Sequence, residues 1–188
     1  EDAVPRQNVR LANFTFVQRS TNGANATAML LRGGTDYTMV NGVVVSPANI
    51  PCYRVNAANV LKAANPAIDK VGPPVFRSVQ FSGCNPAFIG TGGTATADVQ
   101  ANFASGTNNN NSAFVSSLVT SFQNGANETA VTPFAAATLN DASAFLQNTT
   151  YIGAVRDAND TWYRNWTCNS ATANFGGTGG LCTSLPVG

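Results

Sequence analysis

The chain has no histidine, and only two of its 188 residues are lysine. The first absence removes the usual zinc ligand sets and every Ser-His or Cys-His nucleophile pair from within this chain. Charge of both signs is scarce: ten Lys+Arg against nine Asp+Glu make up 10% of residues, well below the usual quarter, and leave a net charge of +1. No block of like charge exists, so a nucleic-acid or anionic-membrane partner, which needs a clustered basic face, is disfavoured. No stretch of 18 apolar residues is present, so nothing reads as a membrane-spanning helix. The opening residues, EDAVPRQ, do not form a signal peptide, and any such segment is expected to have been removed or to lie upstream.

What stands in place of charge is 23 Asn and 20 Thr, so the surface is solvated mainly by amides and hydroxyls. That composition suits an extracellular, β-rich protein whose turns and ladders use short polar side chains. Four cysteines, Cys52, Cys84, Cys168 and Cys182, allow three pairings if all are bridged, and none forms a C-x-x-C pair. Cys52 with Cys84 and Cys168 with Cys182 is the favoured pairing, because each pair lies within one local region. Bridged cysteines in a low-charge chain imply a secreted or cell-surface setting. Seven N-x-S/T sequons occur, a modest excess for a chain so rich in Asn, Ser and Thr.

The stretch YTMVNGVVVS, residues 37–46, reads as a buried strand interrupted by Asn41-Gly42. Asn-Gly between apolar runs ordinarily marks a hairpin. The interruption recurs, however: Asn13 divides VRLANFTF and Ser78 divides PVFRSVQF, at offsets of 28 and 37 residues. A hairpin does not explain recurrence, whereas a stacked repeat does. Asn13, Asn41 and Ser78 are therefore expected at rung corners, where the chain bends sharply between short strands; Asn is the non-glycine residue that best tolerates the left-handed conformation, and Ser78 fits less well. A rung would contain residues 9–17, a turn at 20–26, residues 28–32, and a turn at 33–36, with strands parallel from coil to coil. The expected fold is thus all-β, parallel solenoid rungs over 1–90, with an antiparallel β-sandwich as the alternative.

The succession LLRGGTDYTMVNGVVV, GPPVFRSVQFSGC, NGANETAVTPF and YIGAVRDANDTWYRNWTC resembles the C-terminal region of secreted bacterial right-handed parallel β-helix proteins, pectate-lyase-like in shape and mostly uncharacterised in function. The resemblance runs from about Val9 to Cys182. It implies a right-handed β-helix and an extracellular setting, and it transfers no catalytic residue.

Residues 91–188 read differently, as a mixed α+β C-terminal cap or side domain that covers a sheet end. Val99 and Phe103 have helical spacing, GTNNNNS (106–112) looks like a loop with no apolar anchor, and SAFVSSLVTSF is either a strand or a short helix. Asp141 is an N-cap candidate for a helix through ASAFLQ. YIGAV and TWYRNWTC, joined through RDAND, form an expected terminal hairpin. Trp162, Tyr163 and Trp166 are candidate ligand-facing aromatics, although covering the core is the commoner role for such residues.

No catalytic constellation emerges. Asp157 and Asp160 lack calcium-loop spacing, Asp36 is the only carboxylate among residues 9–54 and is expected on a rung surface, and no carboxylate pair suggests glycoside cleavage. The expectation is a non-enzyme without metal or cofactor: an extracellular structural or adhesive module that self-associates end to end into a fibre or surface layer. Its contact edge is the first strand, through Val9, Leu11, Phe14 and Phe16, because an uncovered strand edge is a template for another chain. The alternative is a carbohydrate-binding or polysaccharide-degrading protein.

Overall fold

Period-two burial places the strands. In β2 (Met29–Arg32) Met29 and Leu31 are buried while Leu30 and Arg32 are exposed, and in β4 (Tyr53–Asn56) Tyr53 and Val55 are buried against half-exposed Arg54 and Asn56. Longer strands follow the same logic at β1 (Asn8–Val17), β3 (Asp36–Val45) and β5 (Val75–Ser82), and a short β6 (Phe88–Thr91) completes the set. The computed structural model describes residues 3–19, 26–46, 50–106, 108–141, 144–164, 166–170 and 173–176.

Odd strands form one three-stranded sheet in the order β1-β3-β5, and even strands form a second in the order β2-β4-β6, with every pairing parallel. Val-rich β3 is central in its sheet and buried along nearly its whole length, as a strand covered on both faces must be. The core between the sheets contains Phe14, Met39, Val44, Tyr53, Phe76, Phe81 and Phe88. Helix α1 (Thr96–Phe103) adds Val99 and Phe103, and the Phe103 ring stacks on Phe81 with centroids 4.2 Å apart. The helical spacing of those two residues is thus the spacing of a face packed on the core.

Two of the fold-level expectations need correction. The molecule is not the right-handed parallel β-helix of solenoid rungs with a mixed α+β cap; it has two separate three-stranded all-parallel sheets and few helices. A regular repeat is not sustained: the connection from β4 to β5 wanders through two 3₁₀ turns, Ala58–Leu61 and Pro66–Ile68, and no described residue after β6 belongs to an extended strand. An antiparallel sandwich is equally wrong, because every strand pair among the described residues is parallel.

Asn13, Asn41 and Ser78 have φ values of 55, 57 and 54°, and the register on either side sets Asn13 beside Asn41 and Asn41 beside Ser78. The three long strands therefore bend at one aligned left-handed position. Gly42 follows the second bend for a different reason: a Cβ there would fall 2.0 Å from Cζ of Phe14, its register partner. The Asn-Gly dipeptide thus serves a bend and an aromatic neighbour, not a hairpin turn.

The second half covers what the sheets leave open, with backbone and amides rather than strands. Residues 108–114 run beside β5: Phe81 N–H donates to Asn111 O (2.8 Å), Asn111 N–H to Val79 O (3.1 Å) and Phe114 N–H to Phe81 O (3.0 Å). The Asn-rich loop without an apolar anchor is anchored by its amides. Asn110 accepts from Val79 N–H (2.9 Å) and donates to Phe76 O (3.1 Å) and Phe103 O (2.8 Å). Residues 112–122 form neither a strand nor a helix, and the described part of the segment after Asp141, residues 144–147, is not helical. Among the described residues the terminal hairpin does not form: Val155 makes a single parallel bridge to Gln123, and residues 162–164 form a turn. Asp157 and Asp160 hold a tight turn through Asn159 N–H (2.8 Å) and Arg156 N–H (2.9 Å), which consumes the geometry a hairpin would have needed.

Candidate functional site

The aligned bends carry hydrogen bonds from all three side chains to the same crossing segment. Asn41 is fully buried; its Nδ2 donates to Phe134 O (3.0 Å) and its Oδ1 accepts from Phe134 N–H (2.6 Å). Asn13 donates to Tyr151 O (2.9 Å) and to Thr149 Oγ1 (3.0 Å), and the Ser78 hydroxyl donates to Thr132 O (2.9 Å). Each bend side chain thus serves as a backbone substitute that fastens the crossing segment 132–153 to the sheet. Asn13 and Asn110 are sequon residues whose amides are committed to these internal bonds. Asn25 and Asn165 lie outside the described residues.

Asp36 is not a carboxylate on a strand surface. It is fully buried at the start of β3, where its Oδ1 accepts from Lys70 Nζ at 2.5 Å and its Oδ2 from Val71 N–H at 2.8 Å. Lys70 also donates to Gly72 O (3.3 Å). A buried pair of this kind fixes the long β4-to-β5 connection against the start of β3, and both oxygens of the Asp36 carboxylate are engaged in it.

Glu128, in the short helix α2 (Ala126–Thr129), is a second buried carboxylate, and nothing in its sequence context singled it out. It accepts from Ser117 N–H (2.9 Å), Ser117 Oγ (2.7 Å) and Gly125 N–H (3.1 Å). Burial pushes its pKa up, but the hydrogen bonds from the Ser117 and Ser116 hydroxyls and from backbone N–H groups outweigh it and hold the carboxyl below the ordinary value. A lowered folded pKa means that the stabilisation is complete above the ordinary glutamate value of about 4.3 and is lost as pH falls through the lower folded value. The difference in unfolding free energy between the wild type and Glu128→Gln, followed by denaturant titration from pH 6 to pH 2, should shrink across that acid window. A difference that is constant with pH would remove Glu128 as the acid-sensitive group.

Cys52 and Cys84 are bonded to each other, with Cα atoms 5.4 Å apart. The bridge ties the start of β4 to the connection between β5 and β6. The second expected pairing, Cys168 with Cys182, cannot be placed because Cys182 lies outside the described residues.

Of the expected contact edge, Phe14 is buried and tilted against Phe16 at a centroid distance of 4.8 Å, while Val9, Leu11 and Phe16 are half-buried. The register neighbours of Leu11 and Phe16, Met39 and Val44 on central β3, are buried to 4% exposure or less, whereas Tyr37 beside Val9 is half-buried like Val9 itself. The three aromatics near the C-terminus part company. Tyr163 belongs to a small second core with Phe122 and Val155, Trp162 is 60% exposed beside it, and Trp166 is 86% exposed.

Among the described residues, no group of three or more Cys, Asp or Glu side chains converges as a metal site, and no helix is long and apolar enough to cross a membrane. Comparison with protein-family models, curated proteins and solved structures returned no match. The resemblance to secreted β-helix proteins therefore rests on the quoted residues alone.

Proposed function

We propose that the protein is an extracellular structural or adhesive module that self-associates through the outer edge of β1. The observation that carries this reading is an asymmetry between the two edges of the first sheet. Residues 108–114 hydrogen-bond along the outer edge of β5, whereas β1 has a strand neighbour only in β3 among the described residues. Among the described residues no second strand covers the outer edge of the ten-residue β1, and an uncovered strand edge is a ready template for another chain.

The sequence of β1 favours a second copy of itself as the occupant. Val9 and Phe16, and Leu11 and Phe14, are equidistant from the midpoint between Ala12 and Asn13, so two β1 strands paired antiparallel about their bends set Val9 opposite Phe16 and Leu11 opposite Phe14. Apolar residues then meet apolar residues at these positions, Arg10 falls opposite Thr15, and the contact is the same from both strands, as an isologous interface requires. The covered β5 edge favours this two-fold contact over head-to-tail stacking, which needs a free edge at both ends. The disulfide supports an oxidising, extracellular setting.

Sedimentation equilibrium of the wild type and Val9→Lys tests the proposal. A charge at an edge position is the ordinary way in which sheets refuse a partner. The wild type is expected to show concentration-dependent dimerisation, and Val9→Lys, with an unchanged thermal midpoint, is expected to weaken it at least tenfold. A wild type that stays monomeric at millimolar concentration overturns the proposal.

A further inference from the structure

The exposed Trp162 is held rigidly rather than left loose. Its indole Nε1 donates to Ala154 O (2.9 Å), and its ring stands edge-on to Tyr163, with centroids 6.2 Å apart and an interplanar angle of 85°. A tethered indole that is still 60% exposed presents a fixed apolar face to solvent. That face forms one wall of a cleft of about 360 Å³ at the end of β1, floored by Phe122, Tyr163 and Phe175.

The rim of the cleft defines what fits against that floor. Among the described lining residues there is no carboxylate, and the one charged group is Arg19, whose guanidinium donates to Ser121 Oγ (3.1 Å). Thr167 donates its hydroxyl inward to Tyr163 O (3.1 Å), which leaves its lone pairs turned to a ligand as acceptors. Thr15 Oγ1 instead accepts from Ala154 N–H (3.0 Å), which leaves its O–H as a donor. Arg19 supplies donors only. The matching ligand has an apolar ring face for Trp162 and groups around its edge that both donate and accept. Hydroxyls have that property, whereas an aromatic carboxylate only accepts.

We infer that this cleft binds carbohydrate, stacking one pyranose ring on Trp162 and hydrogen-bonding its edge hydroxyls to Arg19, Thr15 and Thr167. With no carboxylate in the lining, the site binds a glycan without cleaving it, because glycoside hydrolysis ordinarily needs a pair of acids. The cleft adjoins the β1 edge contact and shares Thr15 and Val17 with that strand, and a surface that both associates and holds glycan suits an adhesive module.

Isothermal titration calorimetry of the full chain with gluco-, manno- and galacto-configured hexasaccharides tests this, with phenylacetate as the aromatic-acid competitor. At least one sugar configuration is expected to bind saturably to the wild type and equally to Trp166→Ala, whose ring lies outside the cleft. Trp162→Ala is expected to lose at least tenfold in affinity. Arg19→Gln, an exposed change that leaves the fold intact, is expected to lose roughly threefold to tenfold, and it serves as the test should Trp162→Ala fail to fold. No saturable binding by any of the three sugars, undiminished binding by both cleft variants, or displacement of the sugar by phenylacetate would each overturn the assignment.

Discussion

Replacing Asp36 by alanine should be the most damaging single change in the protein, lowering stability by about 3–5 kcal/mol because it leaves the Lys70 ammonium buried without a counter-charge. For a chain of this size that corresponds to a fall in thermal midpoint of roughly 6–20 °C. The pair is not itself a large net source of stability, since both ions give up hydration to meet at 0–4% side-chain exposure. The double replacement Asp36→Leu with Lys70→Met is therefore expected to recover most of the loss. It will not recover all of it, because Val71 N–H and Gly72 O lose their side-chain partners. Thermal unfolding of the two single variants and the double variant decides the matter. Single variants within about 1 kcal/mol of the wild type would show that the pair is solvated and that the β4-to-β5 connection is held by other means.

Removing the Cys52–Cys84 bridge should come second. Its partners are separated by 32 residues, and closing a loop of that length restricts the unfolded chain by roughly 3.5–4 kcal/mol in the entropy model. Cys52 is fully buried in the core, so a Cys52→Ala, Cys84→Ala variant also gives up apolar packing, and the loss should meet or exceed the chain-entropy figure. Guanidinium unfolding of the variant, compared with the reduced wild type, separates the two contributions. If the double variant is as stable as the oxidised wild type, the bridge contributes little to stability.

The parts of the fold that could be read from the sequence are those set by short-range rules. Asn is one of the few residues that accept a left-handed backbone without strain, so a lone Asn inside an apolar run points to a bend at Asn13 and Asn41. Val99 and Phe103 are four residues apart on one helix face, and Cys52 and Cys84 lie close enough in sequence to bridge locally. What could not be read depends on distant partners. Asp36 looks like a surface acid until Lys70, one of only two lysines, is brought to it across 34 residues. Glu128 has no local feature that announces three hydrogen bonds to residues 117 and 125.

The overall architecture failed for a related reason. Three similar bends suggested a coil that repeats, but similar strands settle into two three-stranded sheets once the connection after β4 departs from the pattern. The second half misled because its order comes from amides bonding to backbone: Asn110 and Asn111 secure a course beside β5 that has no hydrophobic periodicity to betray it. The aromatic-rich end read as a hairpin on alternation alone, whereas Tyr163 turns inward to Phe122 and Trp162 turns outward, as residues of a tight turn do.

Hydrogen–deuterium exchange of the β1 peptide, followed as protein concentration rises through the association range, tests the edge-pairing claim most directly. The outward backbone amides of residues 8–17 are expected to exchange rapidly in dilute solution and to gain protection in step with dimer formation, with no comparable change in β5, whose outer edge is already covered. Protection of β1 that is already complete at the lowest concentration, or dimerisation that leaves its exchange unchanged, would contradict the claim that two copies meet along this strand.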